Sequence, residues 1–275
     1  MKKGFTLVEL LAVIIILGFI ALLIMPVVTS VINNSQKDSF KASAYGLKKT
    51  AEMKYMNLEK EGNAKKLILY YNDGVETSNI EGEYLEYEGE KPKNGYVVIN
   101  EEGKIAFAIH DGKYCAQKSY YQSEVTVSTK SIDNCDIPFE CGQVFIDVRD
   151  GEEYKTVQID DQCWMAENLR YVGEGENTCL TSGGYESCNS AEWGSEPYNS
   201  CCVHNQMSES LHSGSRRRWD ETQVLYQWGA VMNLLGDFLE SATFEDIESL
   251  NGTQGICPKG WVVPSNDDWI QLHKT

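Results

Sequence analysis

Chemistry in this chain of 275 residues is concentrated in one carboxylate near the amino terminus and in nine cysteines far from it. Glu9 stands at the head of an apolar run, Leu10 to Val28, of 19 residues without a charge. A carboxylate at the edge of such a run is costly unless a cation neutralises it, so it favours a cationic partner. Scission after Gly4 would create that cation, because the new α-amine on Phe5 could pair with Glu9 of a neighbouring copy. The second group is Cys115, Cys135, Cys141, Cys163, Cys179, Cys188, Cys201, Cys202 and Cys257, whose default chemistry in an oxidising compartment is disulfide formation. The odd count leaves one of them unpaired or paired with something outside this set.

Other chemistry has little support. The sequence has no Gly-x-Ser-x-Gly elbow, no phosphate-binding loop and no His-Glu-x-x-His, and His110, His204, His212 and His273 are scattered, so no residue is assigned a catalytic role and no cofactor is expected. A zinc site would want paired Cys-x-x-Cys units, and only Cys202-Val203-His204 comes near, so no metal is expected. Asp147, Asp150 and Glu152 crowd oxygens as a calcium loop does, but they lack its length and terminal glutamate; a turn lined with solvated carboxylates is the expectation.

The elements that must position Glu9 and the cysteines follow from patterning. The apolar run spans roughly 28 Å as a helix, about the hydrocarbon thickness of a bilayer. Lys2 and Lys3 precede it, so the positive-inside rule leaves the amino terminus in the cytoplasm and the rest outside, as a single-pass protein. Net charge is +3 over residues 1 to 64 (8 basic, 5 acidic), −5 over 65 to 137 (8 and 13) and −15 over 138 to 275 (8 and 23). So acidic a distal part repels nucleic-acid phosphate, and no nucleic acid is expected as a partner. A secretory signal peptide would have a shorter apolar run and an Ala-x-Ala-like site, and a plain anchor would leave Glu9 without a role.

From Thr29 to about Glu61 the chain turns polar but keeps a stripe of Phe40, Ala44, Leu47, Ala51 and Leu58, which predicts a continuation of the helix, bent near Pro26 and stopped at Gly62-Asn63. Gly46 weakens it mid-way. Alternating runs at 67–71, 84–87, 95–99, 104–109 and 125–127, separated by turns such as Asn72-Asp73-Gly74, predict antiparallel strands to cover that stripe. Cys115 and Cys135 bracket the last strand region and are expected to pair, the alternative being Cys135 with Cys141.

The terminal residues Gly4-Phe5-Thr6-Leu7-Val8-Glu9-Leu10-Leu11 resemble the processing motif of type IV pilins and type II secretion pseudopilins. That resemblance implies cleavage by a prepilin peptidase at Gly4, N-methylation of Phe5, subunit assembly through Glu9 and a helix kink at Pro26. It also implies inner-membrane residence followed by incorporation into a pilus or cell-surface filament with other pilin subunits. The distal part carries a second resemblance. Asp147 to Ile159, Gln162-Cys163-Trp164-Met165-Ala166-Glu167-Asn168-Leu169, Leu225-Tyr226-Gln227-Trp228 and Gly255 to Ser265 followed by Trp269 are similar to blocks of the Fibrobacter succinogenes major paralogous domain, which is related to C-type lectin-like folds. Asp160 replaces the usual glycine there and Val262 a frequent histidine. The family continues past this point, so an incomplete last domain is expected.

Read from its residues alone, the distal part opens with a hairpin turn at Asp150-Gly151 and a strand from Tyr154 to Ile159. Trp164, Met165 and Leu169 read as core, residues 173 to 214 as a disulfide-stapled loop, Arg216-Arg217-Arg218 as cations paired with nearby carboxylates, and the residues from Trp269 as the start of a helix. The expected architecture is α+β. It comprises a leader (1–4), a membrane-spanning and amphipathic helix (5–64) on an antiparallel sheet head (65–137), and a disulfide-rich lectin-like domain (138–275). The expected function is a minor pilin or pseudopilin presenting an adhesion-like domain to an extracellular surface or glycan. The alternative is a tethered cysteine-dependent oxidase of the formylglycine-generating type.

Overall fold

A computed structural model describes residues 7–86, 91–171, 201–204, 223–226, 231–232, 250 and 252–274. Gly4, Phe5, Cys179, Cys188 and Arg216 to Arg218 lie outside the described residues, and Cys201 and Cys202 are described by backbone alone. The chain divides into two compact units, Met1–Pro138 and Phe139–Thr275.

Unit 1 is built on helix α1, Leu7–Lys60, which runs through Pro26 without a break in its helical assignment. Proline has no N–H to give the preceding turn, and Thr29 donates its hydroxyl to the Met25 carbonyl at 2.8 Å beside the gap. Residues 7 to 32 are exposed throughout, and α1 is long and apolar enough to cross a membrane. Its far end stops as the sequence predicts. Gly62 takes φ +74°, its N–H reaches the Glu59 carbonyl at 3.0 Å, and the Asn63 N–H reaches the Leu58 carbonyl at 2.8 Å, a Schellman closure.

The sheet is fully antiparallel, in the order β2-β1-β3-β4-β5-β6, from β1 (Leu67–Asn72), β2 (Val75–Ser78), β3 (Asn94–Ile99), β4 (Ile105–His110), β5 (Cys115–Lys118) and β6 (Thr126–Ser128). Register aligns Leu69, Val97 and Phe107 across three strands, and this row packs with Phe40, Ala44, Leu47, Ala51 and Leu58, the buried residues of α1. Full burial of one leucine or phenylalanine here contributes about 1.5–3 kcal/mol. The other face of β4 is covered too: the Cys115–Cys135 disulfide lies against Ala108, with Tyr96 and Ile137 beside it. Gly95 permits the tight β3–β4 pairing, since at φ +121° a Cβ would stand 2.2 Å from the Ala108 carbonyl oxygen.

The pattern misleads at three places. Tyr84 to Glu86 form no strand; Leu85 instead plugs the core while its N–H is held by the Glu76 carboxylate at 2.9 Å. Strand β2 escaped notice because it is an exposed edge of four residues. Strand β5 did so because Gln117 and Lys118, polar by type, are buried in it; the Lys118 ammonium donates to the Ile105 and Ser119 carbonyls, each at 2.9 Å.

Unit 2, by itself, has short strands in pairs: β7 (Phe145–Ile146) with β8 (Glu153–Tyr154), β9 (Thr156–Ile159) with β10 (Gln162–Met165), and β11 (Cys201–His204) with β12 (Gln223–Tyr226). The run from Tyr154 to Ile159 is therefore split at Lys155 between two partners. Asp160 takes φ +50° in the β9–β10 turn, a conformation that suits glycine and that aspartate tolerates. A Cys141–Cys163 disulfide ties the start of the unit to β10, and helix α2 (Asn266–Lys274) follows a Ser265 cap.

Candidate functional site

Two regions can act on other molecules. The first is the exposed apolar half of α1, with Glu9 in its first turn. Its rim is braced by the β4–β5 hairpin, where the Lys113 ammonium donates to Asn33 (2.7 Å) and Gln36 (2.8 Å) and the Tyr114 hydroxyl donates to the Asn33 carbonyl (3.0 Å). The head is thus held to the helix at the point where the exposed stretch ends.

The second region is a cavity of about 520 Å³ in unit 2, whose described lining includes Trp164, Trp261, Trp269, Met165, Gln162 and Asn168. Trp164, Met165 and Leu169 are half-buried and line this cavity, which corrects their reading as closed core. Sequence reasoning missed them because a tryptophan facing a cavity and one facing a core have the same local pattern. The signal was available only in combination, as three tryptophans from separate blocks of one unit.

Each wall has a mechanical support. Trp164 and Trp269 meet at 5.1 Å between ring centroids, tilted by 48°, joining β10 to α2. Trp261 packs edge-on to Phe145 at 5.3 Å and tilted against Phe139 at 5.8 Å. Helix α2 begins with a reciprocal cap: Asp268 accepts from the Ser265 N–H (2.8 Å) and hydroxyl (2.6 Å), and the Asp268 N–H lies 3.2 Å from that hydroxyl. These bonds, those from the Ser265 side chain foremost, hold the Asp268 carboxyl below its ordinary value.

A polar network that reaches the cavity-lining residues Glu167 and Leu169 corrects the expectation of a solvated acidic turn. Asp147 is 1% exposed and grips Arg149 through Nε (2.9 Å) and Nη2 (2.6 Å), while the guanidinium stacks on Tyr171 at 3.6 Å and donates to the Ile256 carbonyl at 2.9 Å. Glu152 instead pairs with Arg170 at 3.0 Å, and Asp150 accepts from the Glu152 N–H at 2.9 Å. Arg170 also lies over the Tyr154 ring, and the Tyr226 hydroxyl reaches the Leu169 (3.1 Å) and Tyr171 (2.9 Å) carbonyls. This network fixes the segment that carries Asn168 and Leu169 to the cavity wall. Burial pushes the Tyr154 and Tyr226 phenols up, so both remain neutral, the Tyr154 hydroxyl accepting from the Arg170 N–H at 2.9 Å.

Among the cysteines whose side chains are described Cys257 is the free one, and burial pushes its thiol up despite the nearby Arg149. A raised value disfavours the thiolate that an oxidase would need. Among the described residues no group of three His, Cys, Asp or Glu side chains is placed to hold a metal ion.

Comparison with known families divides the chain in two places. Residues 1–25 match the prokaryotic N-terminal methylation motif, and residues 157–275 match the Fibrobacter succinogenes major domain. The two matches lie at opposite ends of the chain and do not overlap. No curated protein and no solved structure matches it. The methylation motif supports a type IV pilin-like surface subunit, anchored in a membrane through α1 before it reaches a surface pilus. It implies other pilin subunits and the prepilin peptidase as partners.

Proposed function

We propose that this chain is a minor type IV pilin or pseudopilin whose second unit is an adhesion-like binding domain outside the cell. The observation that carries the reading is the union, in one chain, of a membrane-length exposed helix headed by the methylation motif with a separately packed unit of strong negative charge. Pilins pack through their helices, so a second unit of 137 residues on every subunit would crowd its neighbours. At −15 per copy it would also repel them, the repulsion being largely screened only beyond about 8 Å at physiological salt. A filament tip or a sparse decoration accommodates it.

Within this reading, prepilin peptidase cleaves between Gly4 and Phe5, and Glu9 pairs with the new amine of a neighbouring subunit. Gly4→Val then leaves an unprocessed membrane protein, and Glu9→Ala keeps membrane levels while incorporation falls. Immunogold labelling against unit 2 is the direct test. Terminal or isolated particles on filaments support the reading, and continuous labelling at the density of the main subunit overturns it.

A further inference from the structure

The charges around the unit 2 cavity are already engaged within the protein. Glu167 lies 3.2 Å from the Lys155 ammonium and 3.4 Å from Arg170, and Asp268 is occupied by Ser265 and by the Gln162 amide at 3.1 Å. An ammonium ligand would therefore have to compete with resident cations and donors, and an anion would have to enter a unit of −15 net charge. What the cavity offers instead is flat aromatic surface and amides. The Trp164 indole N–H is spent on Gln162 at 3.3 Å, which leaves the ring face for a ligand, and Trp269 remains 54% exposed beside it. Gln162 uses one donor and one acceptor on Asp268 and Trp164, leaving one of each, and the exposed amide of Asn168 shares the lining.

We infer that this cavity binds a neutral sugar ring of an extracellular glycan. The apolar C–H face of the ring would pack on the Trp164–Trp269 pair, and its hydroxyls, which both donate and accept, would pair with the Gln162 and Asn168 amides. A cavity of about 520 Å³ has room for one ring and part of the next. The inference rests on the reading of unit 2 as a binding domain and names the site and ligand class for it, independently of whether the chain enters a filament.

The test uses the full-length protein in detergent micelles, titrated with labelled neutral oligosaccharides (linear glucose, N-acetylglucosamine and mannose oligomers). Sulfated dextran, choline and a tryptophan-rich peptide serve as competing probes. At least one neutral oligosaccharide binds. Trp269→Ala weakens it on the order of tenfold, Trp269→Phe retains most of the affinity because a flat face remains, and Asn168→Ala weakens it severalfold. Hydrogen exchange in β9 and β10 confirms that each variant is folded. The inference is overturned if no neutral oligosaccharide binds at millimolar concentration, if binding ignores Trp269→Ala in a folded protein, or if only the sulfated, cationic or peptide probe binds. Sugar binding by a protein that immunogold never finds on filaments overturns the pilus reading and leaves this one standing; labelled filaments from a protein that binds no sugar do the reverse.

Discussion

Unit 1 lays a six-stranded sheet on one helix, and the centre of that packing is a row of apolar side chains contributed alternately by α1, β1, β3 and β4. The described strands of unit 2 are two to four residues long and pair two at a time, and the groups that tie its segments together are carboxylates, guanidinia and phenols. The first arrangement suits a part whose job is to hold a helix rigidly. The second suits a unit whose surface-lining segments are anchored one by one, so that a cavity wall can stand without a large sheet behind it. The two units should therefore fail under opposite kinds of substitution.

The sharpest break is Arg149→Ala. It leaves the Asp147 carboxylate buried at 1% exposure without its bidentate partner, a loss of about 3–5 kcal/mol for a buried pair broken on one side. Hydrogen exchange of the full chain by mass spectrometry should show unit 2 amides losing protection while β1, β3 and β4 keep theirs. Uniform loss across both units would contradict their independence, and no loss would mean that the Asp147–Arg149 pair does not anchor unit 2. The converse is Leu47→Ala, which opens a hole beneath α1 where the leucine is fully buried and costs about 2–5 kcal/mol. Here unit 1 should soften and the sugar affinity of unit 2 should stay within error; a change in that affinity would sink the separation of roles.

The same contrast explains what could be read without coordinates. The α1 stripe, the turn at Asp73-Gly74 and the Gly62 stop are legible because period and turn chemistry are local properties, and each has one dominant physical cause. Strand β5 was not legible, because Lys118 contradicts burial until carbonyls from two other positions are seen to receive its ammonium. In unit 2 the acidic turn was misread for a related reason: nothing in Asp147-Val148-Arg149 says whether the pair faces water or lies under Tyr171. The cavity was hidden most completely, since its walls come from blocks about a hundred residues apart and only Ser265-x-x-Asp268 announced one of them locally.

That cap gives a smaller test of how segmental unit 2 is. Ser265→Ala should cost about 1 kcal/mol, concentrated in α2 and the Trp164–Trp269 contact, and weaken sugar binding more than it lowers overall stability. The pH dependence has a definite sign. The folded Asp268 carboxyl lies below its ordinary value of 3.8, so its contribution is complete above that pH and is lost as pH falls through the lower folded value. Sugar affinity should therefore be flat from neutrality down to pH 3.8 and decline only below it. A decline centred near pH 6 would point to a different titrating group and break the link between cap and cavity.

The smallest expected effect belongs to unit 1 and runs the other way. Gly46 sits mid-helix in α1, and a Cβ added there would meet nothing within 4 Å. Glycine in a helix interior is about 0.5–1 kcal/mol worse than alanine, so Gly46→Ala should stabilise the isolated subunit by that amount, read as a slower exchange of α1 amides. A protein that forgoes this gain has a use for bare backbone on that side only if something approaches it closely. Filament incorporation decides the matter. Unchanged incorporation with the stability gain would make Gly46 a tolerated weakness of one rigid helix, whereas a more stable subunit that assembles poorly would mark that face of α1 as a close contact between neighbouring helices and extend the packing surface beyond the apolar run that begins at Leu10.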